Sequence, residues 1–440
     1  METGPAFERS TLISRPELNL FAIPPTDSSI ISSEYFTFFP TTAISNSNAP
    51  IEIIVPPSQQ LYTDFGPNSH FLYCKFSIVK ADATKLAATD KVAGCHNLFA
   101  ALFSSISVEI NNNLVSRSDD GLYAYKKHIV DTLTHSAASK TSKLQSQLYF
   151  PDTSDTIDDA NTGFTKRVSY FANSIDCEIT GNLFEAVFQN RYFPTDCSFR
   201  IVLKRSDSHF HLDSISPAAK ATDPAPFKLK WSACQLYVKR VLVNPAIVAS
   251  HHKLLSARQK FSYPTQIIES RIFTASKDAQ TIISEPLFRS TIPRILILTL
   301  LDPARFHGDI KKSPFRFTPS SLTSIRAMID GVPIIFQNLE ISSTNGLIGY
   351  NSIFNALDDA ESGQDITRDS YLSGSFFVVL DMNPIQRMSK YLNTREGNVT
   401  VELRFAAPLT SSVMVMALGV FQGLITIDSN RIATLEADQH

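Results

Sequence analysis

The feature that most constrains the fold of this 440-residue chain is an internal repeat. The alternating apolar positions of SISVEI (residues 105–110) recur 219 residues later in SIRAMI (residues 324–329). Each segment runs into a turn sequence, Asn111-Asn112 and then Asp330-Gly331, that tolerates the positive φ of a tight hairpin. A helical stripe follows in each half, formed by Tyr125, Ile129 and Leu133 and then by Tyr350, Phe354 and Leu357. Matched features in the same order indicate a duplicated module of about 200 residues.

Both halves also contain the same series of short β segments, bounded by Pro, Asn, Ser or Gly. The predicted strands of the first half are residues 34–39, 51–55, 70–80, 105–110, 174–179, 198–204 and 227–243. Their counterparts are residues 266–275, 279–284, 291–301, 324–329, 375–382, 398–405 and 411–427. This pattern favours antiparallel sandwiches over a sheet with βαβ crossovers. We therefore predict an all-β chain, a double jelly roll of two eight-stranded sandwiches with short helices in their loops. On pattern alone, two separate sandwiches joined by an ordinary linker remain an alternative.

The long segment at residues 227–243 is the predicted boundary between the halves. It alternates over most of its length, with Trp231 and Tyr237 on one face and Leu236 on the other. Asn244 then caps a helix that Pro245 opens. We predict the following division of the chain: an N-terminal arm at residues 1–32, a first jelly roll at 33–243, a second at 244–428 and a C-terminal tail at 429–440.

Composition is consistent with two large cores and excludes a strongly charged binding protein. Hydrophobic residues make up 43% of the chain and charged residues 19%, which is a globular balance. Phe occurs 31 times and Trp once, so much of the bulky apolar volume brings no polar group that needs a buried partner. The formal charge of −2 provides no global attraction to nucleic acid or to an acidic membrane. We expect no sequence-specific binding of nucleic acid.

The sequence shows neither an export signal nor a cysteine framework. The first 20 residues, METGPAFERSTLISRPELNL, lack the basic region and apolar core of an export signal. The sequence also contains no run of about 18 apolar residues, so we expect a soluble chain without a membrane span. The chain has five cysteines, an odd number without close pairing, which indicates a reducing compartment. They are residues 74, 95, 177, 197 and 234. Asn398-Val399-Thr400 fits the glycosylation pattern, but it lies in a predicted strand of a chain without an export signal.

No motif anchors catalysis, and we predict no enzyme activity, no cofactor and no metal site. His209 and His211 lie in the predicted connection at residues 206–226, where we expect a solvated loop rather than a metal site. His251 and His252 are neighbours on a predicted helix, so their side chains diverge and are expected at the surface or between domains.

Two acidic stretches follow the helical stripes and allow two interpretations. Their oxygen-bearing residues are Asp155, Asp158, Asp159 and Asn161 in the first half, and Asp358, Asp359, Glu361 and Asp365 in the second. Such residues are the ligands that Ca²⁺ prefers, yet neither stretch has EF-hand spacing. Solvated loops near the outer surface are the interpretation we favour.

The N-terminal arm contains the candidate assembly contacts Leu18, Leu20, Phe21 and Ile23. These apolar residues precede Pro24-Pro25 and are too few to build a core, so they are either disordered or dock on a neighbouring subunit. We favour docking. Residues 1–24 of the arm carry Arg9 and Arg15 against Glu2, Glu8 and Glu17, which makes the arm a poor tail for neutralising DNA.

Several segments of the chain resemble a known protein family. They are LNLFAIPPTDSSI (residues 18–30), PIE (50–52), NLFAALFS (97–104), VLVNP (241–245) and LRFAAPL (403–409). Together they are similar to the major capsid proteins of Polinton (Maverick) elements and adintovirus-like DNA viruses, including copies resident in animal genomes. The resemblance runs over roughly residues 18–432, and its strength lies in the order and spacing of the segments.

The resemblance implies a major capsid protein whose homotrimers form capsomers with a near-sixfold outline, which tile an icosahedral shell around double-stranded DNA. It also implies neighbouring capsomers and a single-jelly-roll penton protein as partners, and the virion as location after synthesis in a host cell. A carbohydrate- or receptor-binding β-sandwich protein is the alternative, because jelly rolls also occur in lectins. A cupin-type enzyme ranks third, since no cluster of His and Glu ligands is visible.

Overall fold

The structure is a computed structural model, and it describes residues 26–45, 49–118, 121–216, 225–334, 339–341, 346–357, 365–382 and 396–437. The strands of the first half are β1 (Ile30–Phe38), β2 (Ile51–Val55), β3 (Leu61–Asp64), β4 (His70–Lys80), β5 (Val92–Gly94), β6 (Phe103–Ile110), β7 (Asn113–Arg117), β8 (Cys177–Gly181), β9 (Phe199–Arg205), β10 (Leu212–Ser214) and β11 (Phe227–Val243). Those of the second half are β12 (Phe261–Ala275), β13 (Thr281–Ile283), β14 (Ile295–Leu301), β15 (Leu322–Ile329), β16 (Val332–Pro333), β17 (Leu339–Glu340), β18 (Val378–Asp381), β19 (Val399–Phe405), β20 (Val413–Ile427) and β21 (Ala433–Ala437).

Helices occupy the connections between these strands. They are α1 (Leu98–Ala101), α2 (Tyr123–Thr134), α3 (Ala137–Lys140), α4 (Thr162–Ser169), α5 (Ser208–His211), α6 (Pro245–Ser256), α7 (Pro303–His307), α8 (Leu347–Leu357) and α9 (Arg368–Ser373), with 3₁₀ turns at Lys143–Gln147 and Ala172–Ser174. Within the described residues, none of these helices is long and apolar enough to cross a membrane.

The two halves form two antiparallel sandwiches with the same strand order. In the first, the sheet β1-β11-β4-β8 packs on the sheet β2-β9-β6-β7. In the second, β12-β20-β14-β18 packs on β13-β19-β15-β16, so each strand has a counterpart at the same position. This arrangement of paired four-strand sheets is a jelly roll repeated once. We call the two sandwiches the first and second barrels.

The repeat extends to local irregularities of the backbone. Strand β6 shifts register against β9 between Phe103 and Ser105, and β15 shifts against β19 at the positions 219 residues later. The following turns match as well, because Asn111-Asn112 and Asp330-Gly331 both adopt positive φ. Bulges at identical positions in both barrels are structural features of the module rather than chance defects.

The long strand β11 departs from simple alternation at one point. Its register against β4 shifts between Trp231 and Ala233, so an extra residue bulges out of the ladder. Before the bulge the odd-numbered Phe227 is buried, whereas after it the even-numbered Leu236 is buried. The expectation that Trp231 lies on the same face as Tyr237 is therefore wrong, since Trp231 packs against the first-barrel core.

The helix that connects the two barrels begins where the sequence predicted it. Asn244 accepts a hydrogen bond from Ala246 N at 3.0 Å, and Pro245 occupies the first turn of α6. Strand β21, in the segment expected to be the C-terminal tail, pairs with residues 423–427 of β20. In the first barrel β3 lies in the corresponding position beside β11.

Candidate functional site

The two barrels are joined by a shared core rather than by a linker. The second-barrel core includes Ala124, Tyr125, Ile129 and Leu133 of the first-barrel helix α2. Conversely, the first-barrel core includes Tyr263, Ile425, Ile427 and Ala433 of the second barrel. Cores that exchange side chains in this way cannot move independently without exposing apolar surface. The alternative of two separate sandwiches on an ordinary linker is therefore excluded, and we call this contact zone the junction.

Helix α2 supplies the aromatic centre of the junction. The Tyr125 ring lies 5.7 Å from that of Phe306 and 5.6 Å from that of Phe315, both on the connection between β14 and β15. The His128 ring stacks on Phe315 at 4.1 Å. Both Tyr125 and His128 are buried. The helix was expected to decorate a loop of the first barrel, but it fills the space between the barrels.

The charged residues of α2 are also buried, because each has an ionic partner. Lys126 donates to Glu185 at 2.9 Å, and Lys127 forms an ion pair with Asp131 within the helix. Buried charges are tolerated when they are paired and hydrogen-bonded in this way. Charged side chains usually lie in solvent, so the sequence of α2 did not predict that the helix is buried.

The acidic stretch of the first half is largely exposed, as predicted, but its carboxylates also form ion pairs: the side chains of Asp155 and Asp159 are 65% and 60% exposed. Asp155 accepts a hydrogen bond from Arg305 at 2.6 Å and forms an ion pair with Arg316 at 2.9 Å, and both arginines belong to the second barrel. Asp159 pairs with Lys91, while Asp158 accepts from the backbone N–H groups of Ala160 and Asn161. Asn161 caps α4. Asp155 therefore connects the first barrel to the second, whereas Asp158 and Asp159 contact only first-barrel residues.

The second acidic stretch contributes one observed contact. Asp365 forms an ion pair with the buried Lys140 of the first barrel. Asp358, Asp359 and Glu361 lie outside the described residues. Within the part of the chain that the structure describes, no group of three or more His, Cys, Asp and Glu side chains is placed to hold a metal ion.

The histidines predicted to lie in a solvated loop are buried at the junction. His209 and His211 belong to the short helix α5, and Phe210 between them packs against Tyr125 at a ring distance of 5.6 Å. The solvated-loop prediction is wrong because residues 206–214 carry tertiary contacts that a local apolar period does not reveal. Burial lowers the pKa of His211 to about 4. The pair at α6 behaves as expected: His252 is exposed and His251 meets the Tyr62 hydroxyl at 2.9 Å.

A buried arginine holds the loops beneath the junction together. Arg167 donates to the carboxylates of Asp152 and Asp213 at 2.8 and 3.0 Å, and to the backbone oxygens of Gly94 and Phe150 at 2.8 and 2.6 Å. Burial raises the pKa of Asp213 to about 7, although Arg167 acts in the opposite direction. No local pattern predicted this site, because its members are far apart in the chain.

The remaining predicted residues have the following positions. Leu18, Leu20, Phe21 and Ile23 lie outside the described residues. The five cysteines are free and buried, and Cys74 faces Cys234 across β4 and β11. Asn398 directly precedes β19, and its side-chain amide donates a hydrogen bond to Asp330 in the hairpin turn after β15 at 3.1 Å.

Comparisons with known proteins identify the same architecture. No family model matches the chain. The uncharacterized protein F54H12.2 of Caenorhabditis elegans is 20% identical over 323 residues, which cover 71% of this chain and 74% of that protein. Among solved structures, a chain of the Sputnik virophage determined by cryo-electron microscopy has a TM-score of 0.63 at 15% identity, covering 98% of this chain and 94% of that one.

Two further solved structures are viral major capsid proteins. The mavirus protein has a TM-score of 0.55 at 12% identity over 98% of this chain and 96% of its own. The faustovirus protein has a TM-score of 0.54 at 10% identity over 95% and 93% of the two chains. The chain has the double jelly-roll fold of these viral capsid proteins, which confirms the predicted fold class.

Proposed function

We propose that this protein is a major capsid protein that forms trimeric capsomers of near-sixfold outline, and that these capsomers tile an icosahedral shell around double-stranded DNA. The observation that carries the proposal is the fusion of two equivalent barrels into one block through a shared core. Three such blocks in a ring present six similar barrels, and a hexagonal unit can tile a surface. The likeness to capsid proteins over nearly the whole length of both chains supports the same function.

We also propose the finer lineage that the sequence resemblance implies, that of Polinton (Maverick) and adintovirus-like elements. The sequence similarity to a protein of the nematode Caenorhabditis elegans supports this lineage, because the family that the chain resembles includes copies resident in animal genomes. In this proposal the partners are neighbouring capsomers and a single-jelly-roll penton protein, and the location is the virion. The candidate assembly contacts remain Leu18, Leu20, Phe21 and Ile23.

The proposal is tested by the size and shape of what the purified protein forms. Light scattering is expected to show trimers of the 48.8-kDa chain, and negative-stain microscopy to show near-hexagonal particles that assemble into sheets or shells. Saccharide binding by a monomer or dimer that forms no larger assembly would instead support the lectin-like alternative and overturn the capsid proposal.

A further inference from the structure

An open groove lies where the chain passes from the first barrel to the second. Its volume is about 490 Å³, within the range of about 300–1,000 Å³ usual for binding sites. Helix α6 forms one wall with Ile247 and Leu254, and the floor contains Tyr263 at the start of β12. Ile30, the first residue of β1, and the preceding Ser29 also line the groove. The groove therefore lies beside the point where the N-terminal arm joins the first barrel.

The walls of the groove are held by hydrogen bonds that leave apolar faces uncovered. The Tyr62 hydroxyl meets His251 at 2.9 Å, Arg191 donates to Ser262 O at 2.6 Å, and the Tyr263 hydroxyl donates to Tyr192 O at 3.3 Å. With these polar groups occupied, much of the open surface is apolar: Ile30, Tyr192 and Leu254 are 38%, 37% and 46% exposed. Single exposed apolar residues are ordinary, but several around one concave site mark a binding surface.

We propose that this groove binds residues 18–23 of a neighbouring copy of the chain, an inference that rests on the proposed function because the capsid lattice supplies that copy. The segment LNLFAI brings four large apolar side chains, Leu18, Leu20, Phe21 and Ile23. Glu17 precedes them, and exposed Arg191 and Lys260 lie at the groove. The occupant thus matches the groove in both apolar character and charge.

The position of the prolines favours a neighbouring chain over the groove's own chain. Only five residues, 24–28, separate Ile23 from Ser29, which lines the groove of the same chain. Pro24 and Pro25 restrict their own φ and disfavour the helical region for the residue before each of them, so they favour an extended path. Five residues that favour an extended path are poorly suited to fold Ile23 back beside Ser29 of the same chain, so a neighbouring copy is the occupant we propose.

An engineered cysteine pair tests the contact in the full-length protein. Ile23→Cys combined with Leu254→Cys is oxidised mildly after assembly and analysed by non-reducing electrophoresis and peptide mass spectrometry. The five native cysteines are buried, so they contribute little background. Ile23→Cys combined with Val332→Cys is the matched control, because Val332 is 68% exposed and does not line the groove. We expect linked species of two or more chains in the first variant, at several-fold higher yield than in the control.

Each outcome of the cross-linking experiment has one meaning. Links within a single chain would overturn docking on a neighbour, and assemblies with no link above the control would overturn the groove as the binding site; both leave the proposed function standing. Failure of the unmodified chain to form trimers or larger assemblies would overturn the proposed function, and this inference with it.

A second variant tests the groove without cysteines. Leu254→Lys places a charge on the exposed wall of α6, where it should leave folding and the trimer unchanged. It should reduce the yield of shells by about tenfold, because full burial of one leucine is worth more than a tenfold change in binding. Val332→Lys serves as the control. Equal shell yields from the two variants would contradict the inference.

Discussion

Replacing Tyr125 by alanine should weaken the junction as well as the helix that carries it. Tyr125 is fully buried and packs against the rings of Phe210, Phe306, Phe315 and Phe317. Truncation of a buried aromatic residue costs about 3–5 kcal/mol. Contact between aromatic rings contributes about 0.5–1.5 kcal/mol for each pair beyond the buried area, and this part should appear as coupling to the second barrel.

Tyr123 provides a matched control on the same helix. It is equally buried, but it belongs to the first-barrel core. Tyr123→Ala and Tyr125→Ala should therefore lose similar free energy of unfolding. Only Tyr125→Ala should show coupling of about 1 kcal/mol in a double-mutant cycle with Phe315→Ala, whereas the Tyr123 cycle should be additive within about 0.5 kcal/mol.

The single tryptophan makes the assay specific for one barrel. Trp231 lies in the first barrel, 5.3 Å from the ring of Phe76, so its fluorescence in urea follows that barrel. Far-UV circular dichroism follows both barrels. In the unmodified protein the two transitions should coincide, because the shared core makes unfolding cooperative. Separate transitions in the unmodified protein, or equal coupling energies in the two cycles, would refute a shared core.

Three further predictions follow from the buried charges and the arm. Burial lowers the pKa of His211 from 6.5 to about 4, so the folded state loses about 3 kcal/mol of stability as the pH falls from about 6.5 towards 4. His211→Gln should therefore flatten the dependence of Tm on pH. Parallel curves for the variant and the unmodified protein would contradict this. Arg167→Met should lower the free energy of unfolding by about 3–5 kcal/mol in thermal or urea unfolding, because it leaves the carboxylate of Asp213 buried and unpaired. Adding Asp213→Asn should restore part of that free energy. If it restores none, the loss comes from packing instead. Deletion of residues 1–24 should leave a folded trimer in light scattering but impair shell formation in microscopy, and unaltered assembly would refute a role for the arm.

The sequence was sufficient for the repeated module because local patterns encode strands, turns and caps. Strand β11 has the predicted ends, and the Asp330-Gly331 turn adopts the expected positive φ. The sequence was insufficient for the junction because burial there depends on partners distant in the chain. Lys126 appears solvent-facing until Glu185, 59 residues later, is placed beside it. A signal was present in Phe306, Phe315 and Phe317, three large apolar residues in what the pattern marked as a connection.

The repeat also has a consequence for the contact between copies. Helices α2 and α8 occupy equivalent places in the two barrels, yet α2 is almost wholly buried whereas Leu347 and Ile348 of α8 are 45% and 55% exposed. In the proposed ring, α2 joins the first barrel to the second within a chain. By near-sixfold symmetry α8 should join the second barrel to the first barrel of the next copy, against the connection between β4 and β6.

This argument predicts the effect of a charge on α8. Ile348→Arg should convert trimers to monomers in light scattering while leaving the unfolding transition of the monomer nearly unchanged, because the side chain is exposed in the single chain. Ile175→Arg, at a position 56% exposed on the first barrel, is the control and should remain trimeric. A stable Ile348→Arg trimer would show that the ring closes through another surface, and that the two barrels are equivalent in fold but not in how they contact their neighbours.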